Sequence, residues 1–426
     1  MRSRQIETQF GRVFEHRHGL KEEGKPSEFP LDAELNVPDD LYSHPLRQRI
    51  AAEVVDSSFE RAITKIQQTT AGHVPKRQAQ QLAVLAAQDV EAFYSARPQP
   101  ANETLSEAAF MAMSFDCCAI HMVPQGLREP TRLAAEKAAA EVDAVVRGDP
   151  TAAATVKPHQ TRRAAVAAIW EQEPHERTAS DIVANLQRHP NEPKARKKAR
   201  EARPQNKMLT ASVEHSLKTH IVEMFDDADR RDPKRGRETV VLVDGDEHQT
   251  ETIQIEGVRR GRSLTIVLDL LHATHYLWVA ATALSARRSA SNKQLVDELV
   301  AHWTIMLLTG DPARVVAAIR AAATRQKLRG KNRKTVDAAA DYLLKRTPFI
   351  NYASFITRGL PIATGIIEGA CRYLVRDRMD ITGARWNVVE AEAVLKLRAV
   401  RASGDWDAYW EFHLQQEARR NYPNAA

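Results

Sequence analysis

Two short segments of β-favouring residues near the middle of the chain constrain its fold more than any other feature of the sequence. Residues 239–243 (TVVLV) run straight into Asp244, and residues 264–268 (LTIVL) run straight into Asp269. Strands with apolar residues at successive positions are buried on both faces, which is typical of sheets covered by helices on both sides. The two segments therefore predict an α/β fold with a mixed or largely parallel central sheet.

Two further strands are predicted from hydrophobic runs earlier in the chain. Residues 109–115 (AFMAMSF) end at Asp116, and residues 164–170 (AAVAAIW) form the other run. Apolar residues at helical spacing predict a helix over about 212–229. Downstream of the 264–268 strand no segment has strand character, and helical patterns continue almost to the end of the chain.

The first hundred residues have a different character. Residues 1–48 are predicted to form a β-ribbon followed by a loop that contains several glycines and prolines. Residues 49–98 have apolar residues at helical spacing, and after an interruption a second helix is predicted from Pro75. The pattern resembles a helix-turn-helix whose second helix opens with Lys76 and Arg77, but an ordinary helical hairpin with a solvated polar face fits it too.

The composition excludes several classes of protein. Hydrophobic residues make up 43% and charged residues 27% of the 426 residues, so the chain can bury a core and is not intrinsically disordered. No apolar run reaches the ~20 residues of a membrane-spanning helix, and no signal segment is evident, so we expect a cytoplasmic protein with no membrane partner. Three cysteines cannot form a disulfide framework. The formal charge of +6 permits a polyanionic partner, although the basic run at 194–200 is interpreted as a solvated linker.

Three acidic residues are candidates for a shared site. Asp116 and Asp244 follow predicted strands, and open α/β sheets bind ligands at the carboxyl ends of their strands. Asp244 precedes a glycine, so an ordinary turn is an equally good interpretation of that residue taken alone. Glu368 lies between two glycines in a predicted helix, and each glycine costs about 1 kcal/mol relative to alanine, which makes sense if a bulky partner approaches closely. The alternative is a surface ion pair between Glu368 and Arg372.

Convergence of these three carboxylates has a chemical consequence. Without counter-charge they repel one another and raise one another's pKa. Divalent cations remove the repulsion, and hard oxygen ligands suit Mg²⁺ or Mn²⁺. Two such ions about 4 Å apart can activate a water or a 3′-hydroxyl and stabilise the departing oxygen during phosphodiester cleavage. The acidic residues therefore favour a site for two Mg²⁺ (or Mn²⁺) ions.

Seven segments of the sequence match the motifs of one known family. They are 230–233 (RRDP), 242–245 (LVDG), 269–272 (DLLH), 359–372 (GLPIATGIIEGACR), 377–386 (DRMDITGARW), 392–398 (EAVLKLR) and 404–410 (GDWDAYW). With these motifs the chain resembles DDE-type insertion-sequence transposases of the ISKra type. The resemblance covers nearly all of the chain, and its C-terminal motifs are the most specific.

The resemblance implies an α/β architecture with an RNase H-like core, preceded by a helix-turn-helix segment and interrupted by an all-α insertion. The expected units are a β-ribbon and loop (1–48), a helix-turn-helix-like DNA-binding segment (49–98), a core with both aspartates (105–284), an all-helical insertion (285–350) and a C-terminal helical part with the glutamate (351–426).

The resemblance also implies roles for individual residues. Asp116, Asp244 and Glu368 are expected to be catalytic and to hold both metal ions. Asp269 and His272 match an Asp-x-x-His pair and are expected to be accessory, although a strand-end aspartate and a helix-start histidine satisfied by the backbone fit equally well. Seven residues are expected to contact DNA: Lys76, Arg77, Arg372, Arg376, Arg378, Arg385 and Trp386. The tryptophan either stacks on an unpaired base or is simply buried.

Two features depart from the family pattern. Cys117 and Cys118 follow the first aspartate, where relatives usually have a small residue and a lysine. Relatives also usually carry an additional N-terminal portion, so a shortened copy is expected.

The implied function is DNA transposition. A nucleoid-associated homo-oligomer is expected to cleave double-stranded DNA at transposon ends and to join the 3′-hydroxyl to target DNA. The alternatives are an inactive or shortened transposase-derived DNA-binding protein, and a related RNase H-like nuclease that does not join strands.

Overall fold

A computed structural model describes most of the chain. The described residues are 2–21, 23–24, 27, 29–97, 105–148, 160–187, 203–285, 292–363 and 365–423. The linker predicted at 194–200 lies outside them.

A mixed sheet of five strands forms the centre of the molecule, in the spatial order β5-β4-β3-β6-β7. Its strands are β3 (Phe110–His121), β4 (Thr161–Gln172), β5 (Gln205–Ser212), β6 (Thr239–Val243) and β7 (Leu264–Leu268). Strands β3, β6 and β7 pair in parallel, whereas β4 is antiparallel to both of its neighbours. The predicted α/β class with a mixed sheet is therefore confirmed.

The strand lengths differ from the sequence prediction in two places. Strand β3 does not end before Asp116 but continues to His121, because β4 pairs with it along its whole length. Strand β5 was not predicted, and the helix expected from about residue 212 begins only at Leu217. As an edge strand β5 carries polar residues such as Asn206 and Lys207, which hide its strand character.

The N-terminal region is a hairpin followed by helices. Strands β1 (Arg2–Thr8) and β2 (Gly11–Arg17) form a separate antiparallel ribbon. The helices are α1 (Pro30–Glu34), α2 (His44–Asp56), α3 (Phe59–Thr69), α4 (Lys76–Ala87) and α5 (Val90–Ala96).

The predicted helical region at 49–98 thus holds more helices than the sequence indicated. Its first helical pattern is split between α2 and α3, because Ser58 caps α3 by accepting a hydrogen bond from the backbone N–H of Arg61. The second helix does begin directly after Pro75, as predicted.

Helices make up most of the remainder. Those between or just after the strands are α6 (Glu129–Gly148), α7 (Ala179–Gln187), α8 (Leu217–Arg231), α9 (Glu247–Arg260) and α10 (Leu270–Ser285). The region predicted as an all-helical insertion contains α11 (Asn292–Leu308), α12 (Pro312–Arg325) and α13 (Gly330–Lys345). The C-terminal part contains α14 (Tyr352–Thr357), α15 (Gly365–Ala370), a π-helical segment (Cys371–Arg376), α16 (Asp377–Met379), α17 (Val388–Ser403) and α18 (Trp406–Asn421). None of the described helices is long and apolar enough to cross a lipid bilayer.

The central sheet is buried on both faces. Met113 and Phe115 of β3 belong to an apolar cluster with residues of α8 and α9, including Phe225. Phe110 and Ala112 belong to a second cluster, which contains residues of α10, α13 and α15. Because side chains alternate between the two faces of a strand, Asp116 lies on the same face as Ala112. The first aspartate therefore faces the α10–α15 side of the sheet.

Helix α17 stabilises the edge strand β5 through one buried carboxylate. Glu392 is 5% exposed and packs at the end of β5. Its Oε2 atom accepts hydrogen bonds from the Ser212 hydroxyl and the Val213 backbone N–H, both at 2.9 Å. This contact anchors the end of β5, the strand that the sequence did not predict.

We expect Glu392→Ala to lower the free energy of unfolding by about 2–3 kcal/mol, because it leaves buried donors without an acceptor. Urea unfolding followed by tryptophan fluorescence measures this change. Glu411→Ala, at an exposed position of α18, is the control and should change stability by less than about 0.5 kcal/mol. Equal losses in the two variants would contradict a specific role for the β5 contact.

Candidate active site

The two aspartates are brought together by the register of β3 and β6. These strands pair in parallel, and Ser114 lies opposite Leu242. Two residues further along each chain are Asp116 and Asp244, so continuing the same register sets them side by side. Adjacent strands are about 4.8 Å apart, and a two-residue step keeps each side chain on its face of the sheet. The sequence prediction that these acids share one end of the sheet is consistent with this register.

Asp244 is held in a tight turn. Gly245 has a φ of +91°, which favours glycine, and a Cβ atom there would lie 2.5 Å from Arg346 Nε and 2.5 Å from Tyr342 Oη. Tyr342 donates a hydrogen bond to the backbone oxygen of Asp244 at 2.7 Å, and Arg346 Nε donates to that of Gly245 at 2.8 Å. Tyr342 also stacks on Tyr276 with ring centroids 3.5 Å apart. Helix α13 therefore positions the second aspartate, a role that the sequence did not reveal.

Glu368 lies in the electrostatic field of the other acids. It is exposed on α15, which packs against β3 and β4. Partial burial raises the pKa of Glu368, and the charges of Asp269 and Asp116 raise it further, while His272 acts in the opposite direction. The structure thus brings Glu368, Asp116 and Asp269 into one negatively charged region.

Cys371 connects the helix of Glu368 to the strand of Asp116. Its thiol donates a hydrogen bond to Asp116 Oδ2 at 3.3 Å, and the backbone N–H of Cys117 donates to Oδ1 of the same carboxylate at 2.6 Å. The pKa of Cys371 is raised by its interaction with Cys118, by burial and by Asp116, so the thiol stays protonated and remains a donor. Sequence analysis missed this role because Cys371 and Asp116 are 255 positions apart.

The region is suited to hard cations. Its candidate ligands are carboxylate oxygens, which Mg²⁺ and Mn²⁺ prefer. The ligand atoms of Asp116, Asp244 and Glu368 are not all within 4.8 Å of one another; in the described part of the chain, that distance is met by His215, His220 and Glu223. A pair of ions about 4 Å apart is compatible with carboxylates that are further apart than those around a single ion.

The expected accessory pair has mixed surroundings. Asp269 is buried, and its Oδ1 atom accepts a hydrogen bond from the backbone N–H of Leu271 at 2.7 Å. The sequence analysis gave such a hydrogen bond from the backbone as the alternative to an accessory role for Asp269. His272, by contrast, is exposed, and its charge acts on Glu368.

Two of the residues expected to contact DNA are buried instead. Arg378 is 2% and Trp386 4% exposed, and the guanidinium carbon lies 4.7 Å from the indole centroid. Arg378 Nε donates to the backbone oxygen of Val54, and Trp386 Nε1 donates to that of Met379. Burial lowers the pKa of Arg378 to about 10. Arg378 thus holds the C-terminal part against α2, and Trp386 contacts Phe59 of α3. The expectation that Arg378 contacts DNA is corrected, and Trp386 follows the buried alternative.

The other expected DNA contacts are exposed. Lys76, Arg77, Arg372, Arg376 and Arg385 all lie at the surface. Lys76 pairs with Glu60 at 2.6 Å. Arg372 lies 3.7 Å from Asp377, and the described residues contain no ion pair between Arg372 and Glu368, so that alternative for Glu368 is not supported.

We expect Glu368→Gln to raise the free energy of unfolding at pH 7 in chelator-treated buffer, by less than about 1 kcal/mol because the side chain is exposed. The folded-state pKa of Glu368 is raised, so the wild type loses stability as the pH rises through that pKa. Below the normal pKa range of glutamate both proteins carry a neutral side chain, and the gain should vanish. Urea unfolding at pH 7 and at low pH measures it.

Glu411→Gln, on the exposed side of α18, is the matched control and should show no such pH-dependent gain. A gain for Glu368→Gln that persists at low pH would show that charge repulsion is not its cause.

No model of a known protein family matches this chain, and no curated protein matches it.

Proposed function

We propose that the protein is a DNA transposase of the DDE type, similar to the ISKra insertion-sequence enzymes. The observation that carries the proposal is that Asp116 is related to both other acids: the β3–β6 register sets it beside Asp244, and its charge raises the pKa of Glu368, which lies on a distant helix. Carboxylates that raise the pKa of a neighbouring acid are a marker of functional sites, because a protein gains no stability from such repulsion. The sheet of three antiparallel strands continued by two parallel ones supports an RNase H-like core.

In this proposal Asp116, Asp244 and Glu368 hold two Mg²⁺ or Mn²⁺ ions. When bound, the ions would activate a water or 3′-hydroxyl and stabilise the departing oxygen. The chain's own contribution is to position the three acids: Cys371 fixes one oxygen of Asp116, and Tyr342 fixes the backbone at Asp244. These contacts restrict where the acids lie before any substrate arrives.

Exposed basic side chains are proposed to bind the DNA next to these acids. Arg372 and Arg376 follow Glu368 within two turns and are exposed, so they can contact phosphates next to the acids. Helices α3 and α4 with the exposed Lys76 and Arg77 are proposed to grip double-stranded DNA as a helix-turn-helix. Because two transposon ends must be cut and joined to target DNA, we propose that a homo-oligomer acts on the nucleoid.

The activity is tested with supercoiled DNA and with duplex oligonucleotides that carry a free 3′-hydroxyl, in the presence of Mg²⁺. We expect nicked and joined products from the wild type, and a loss of at least about a hundredfold in Asp244→Asn and Glu368→Gln, because each removes a proposed metal ligand. The control Glu411→Gln should behave as the wild type.

The outcomes separate the proposal from its two alternatives. Background nicking that is equal in wild type and Glu368→Gln, with DNA binding retained, favours a binding protein without catalysis. Cleavage that depends on Glu368 but never gives a joined product favours a nuclease.

Cation binding gives a test that is independent of DNA. Mg²⁺ at about 100 times its dissociation constant should add about 2.7 kcal/mol to the free energy of unfolding, because it binds the folded acids and not the unfolded chain. Calorimetry measures the shift in melting temperature, and Asp244→Asn should reduce it. An equal shift in wild type and Asp244→Asn would contradict a cation site at Asp244.

A further inference from the structure

Two histidines and a glutamate meet at the start of α8, on the edge of the sheet. Glu223 Oε1 lies 3.2 Å from His215 Nδ1, and Glu223 Oε2 lies 3.1 Å from His220 Nδ1. One ligand atom from each of the three residues lies within 4.8 Å of the other two. Because His220 and Glu223 are three residues apart in one helix, they lie on the same face, and His215 adds a third ligand from the preceding loop.

The loop that carries His215 is fixed by other side chains. The backbone N–H groups of Glu214 and His215 donate to the Ser212 hydroxyl at 3.0 and 2.8 Å, and Ser212 in turn donates to the buried Glu392. Ser216 then caps α8 by accepting from Thr219 N at 3.1 Å. The backbone on both sides of His215 is therefore held in place before any ligand binds.

Hydrogen bonds within the protein do not satisfy both ring nitrogens of His220. His220 Nδ1 lies 3.1 Å from both Thr210 Oγ1 and Glu223 Oε2, yet it carries only one proton or one lone pair. Its Nε2 is buried and has no hydrogen-bond partner among the described residues. An unpartnered buried polar atom costs about 1–3 kcal/mol. The cost at Nε2 is the same whichever group binds Nδ1, so the crowding of Nδ1 is the observation that bears on a ligand.

The donor set selects a class of cation. Two imidazoles and a carboxylate are the ligands of Zn²⁺ and related transition metals, whereas Mg²⁺ prefers oxygen alone. Each of the two histidine Nδ1 atoms lies close to a different oxygen of Glu223, at 3.2 Å for His215 and 3.1 Å for His220, so the carboxylate lies within reach of both imidazoles.

The cluster opens on solvent and on a cavity. The side chains of His215 and Glu223 are 34% and 39% exposed, whereas His220 is 3% exposed. All three line a cavity of about 270 Å³ between β5, α5, α8 and α17. A cation held by the three residues would therefore keep an open coordination position toward this space, as in zinc sites with exchangeable water.

The cavity beside His215, His220 and Glu223 is separate from the region of Asp116. Asp116 pairs with Val166, and Val166 pairs with Ala211, which lines the cavity. The cavity wall is thus two strands, or about 10 Å, from Asp116. We propose that His215, His220 and Glu223 form a binding site for a zinc-class transition-metal cation, distinct from the site proposed for Mg²⁺.

The proposal is tested by titrating chelator-treated full-length protein with Zn²⁺ alone, using a chromogenic zinc chelator as competitor. We expect one equivalent to bind, with a dissociation constant raised at least about tenfold in His215→Ala and in Glu223→Gln. Both substituted side chains are partly exposed, so these variants should fold, which circular dichroism and the melting temperature verify.

Two controls make the result specific. His248→Ala removes an exposed histidine of α9, and Asp244→Asn removes a proposed Mg²⁺ ligand; both should bind Zn²⁺ as the wild type does. If His215→Ala and His248→Ala bind Zn²⁺ equally, or if the wild type binds less than one equivalent, the site does not exist. Neither outcome depends on whether the protein cleaves DNA.

Discussion

The parallel pairing of β3 with β6 is the constraint on which the proposed site depends. It sets Asp116 next to Asp244, although 127 residues lie between them in the chain, and it places both at the carboxyl end of β6 in a sheet buried on both faces. A shift of this register by one residue would turn Asp116 to the opposite face, against α8 and α9. The residues of β6 are all buried, and its apolar residues alternate between the two apolar clusters, so a slip would repack both faces of the sheet. The position of the acids is therefore a consequence of core packing.

The third acid depends on a weaker set of contacts. Glu368 lies on a helix of six residues that begins at a glycine, so intrinsic helix propensity contributes little to its position. Instead α15 packs on β3 and β4, and Cys371 bonds to Asp116 just beyond it. Repulsion between the acids acts against this packing, because it raises the pKa of Glu368. The position of Glu368 therefore reflects a balance between the packing of α15 and the repulsion between the acids.

The sequence analysis found those elements whose physical cause is visible in neighbouring residues, and it missed those that depend on contacts distant in sequence. Strands β6 and β7 were predicted because burial on both faces demands apolar residues at successive positions, and that demand is visible locally. Strand β5 was missed because an edge strand tolerates polar residues, and its stability comes from β4 and from Glu392, which is 180 residues away from Ser212. The same limit hid Tyr342 and Cys371, whose partners in the site are distant in sequence.

The error at Arg378 has a different cause. The residue lies in a basic motif, and arginine is usually exposed, so a DNA contact was the natural interpretation. For Trp386 burial had been given as the alternative to base stacking. In the structure Arg378 is stacked on the aromatic ring and bonded to α2, a use of guanidinium that the sequence of the motif does not distinguish from phosphate binding.

The two proposed cation sites differ in the type of ligand atom that they offer. The acids around Asp116 offer only oxygen and carry repulsive charge, so they favour a hard cation present in excess. The cluster at His215 offers two imidazole nitrogens, and such ligands bind Zn²⁺ far more tightly than Mg²⁺ at equal concentration. Because the cavity wall lies two strands from Asp116, a cation at either place shares no ligand with the other. Occupancy of the nitrogen site can therefore tie the loop of His215 to α8 without taking a ligand from the acids.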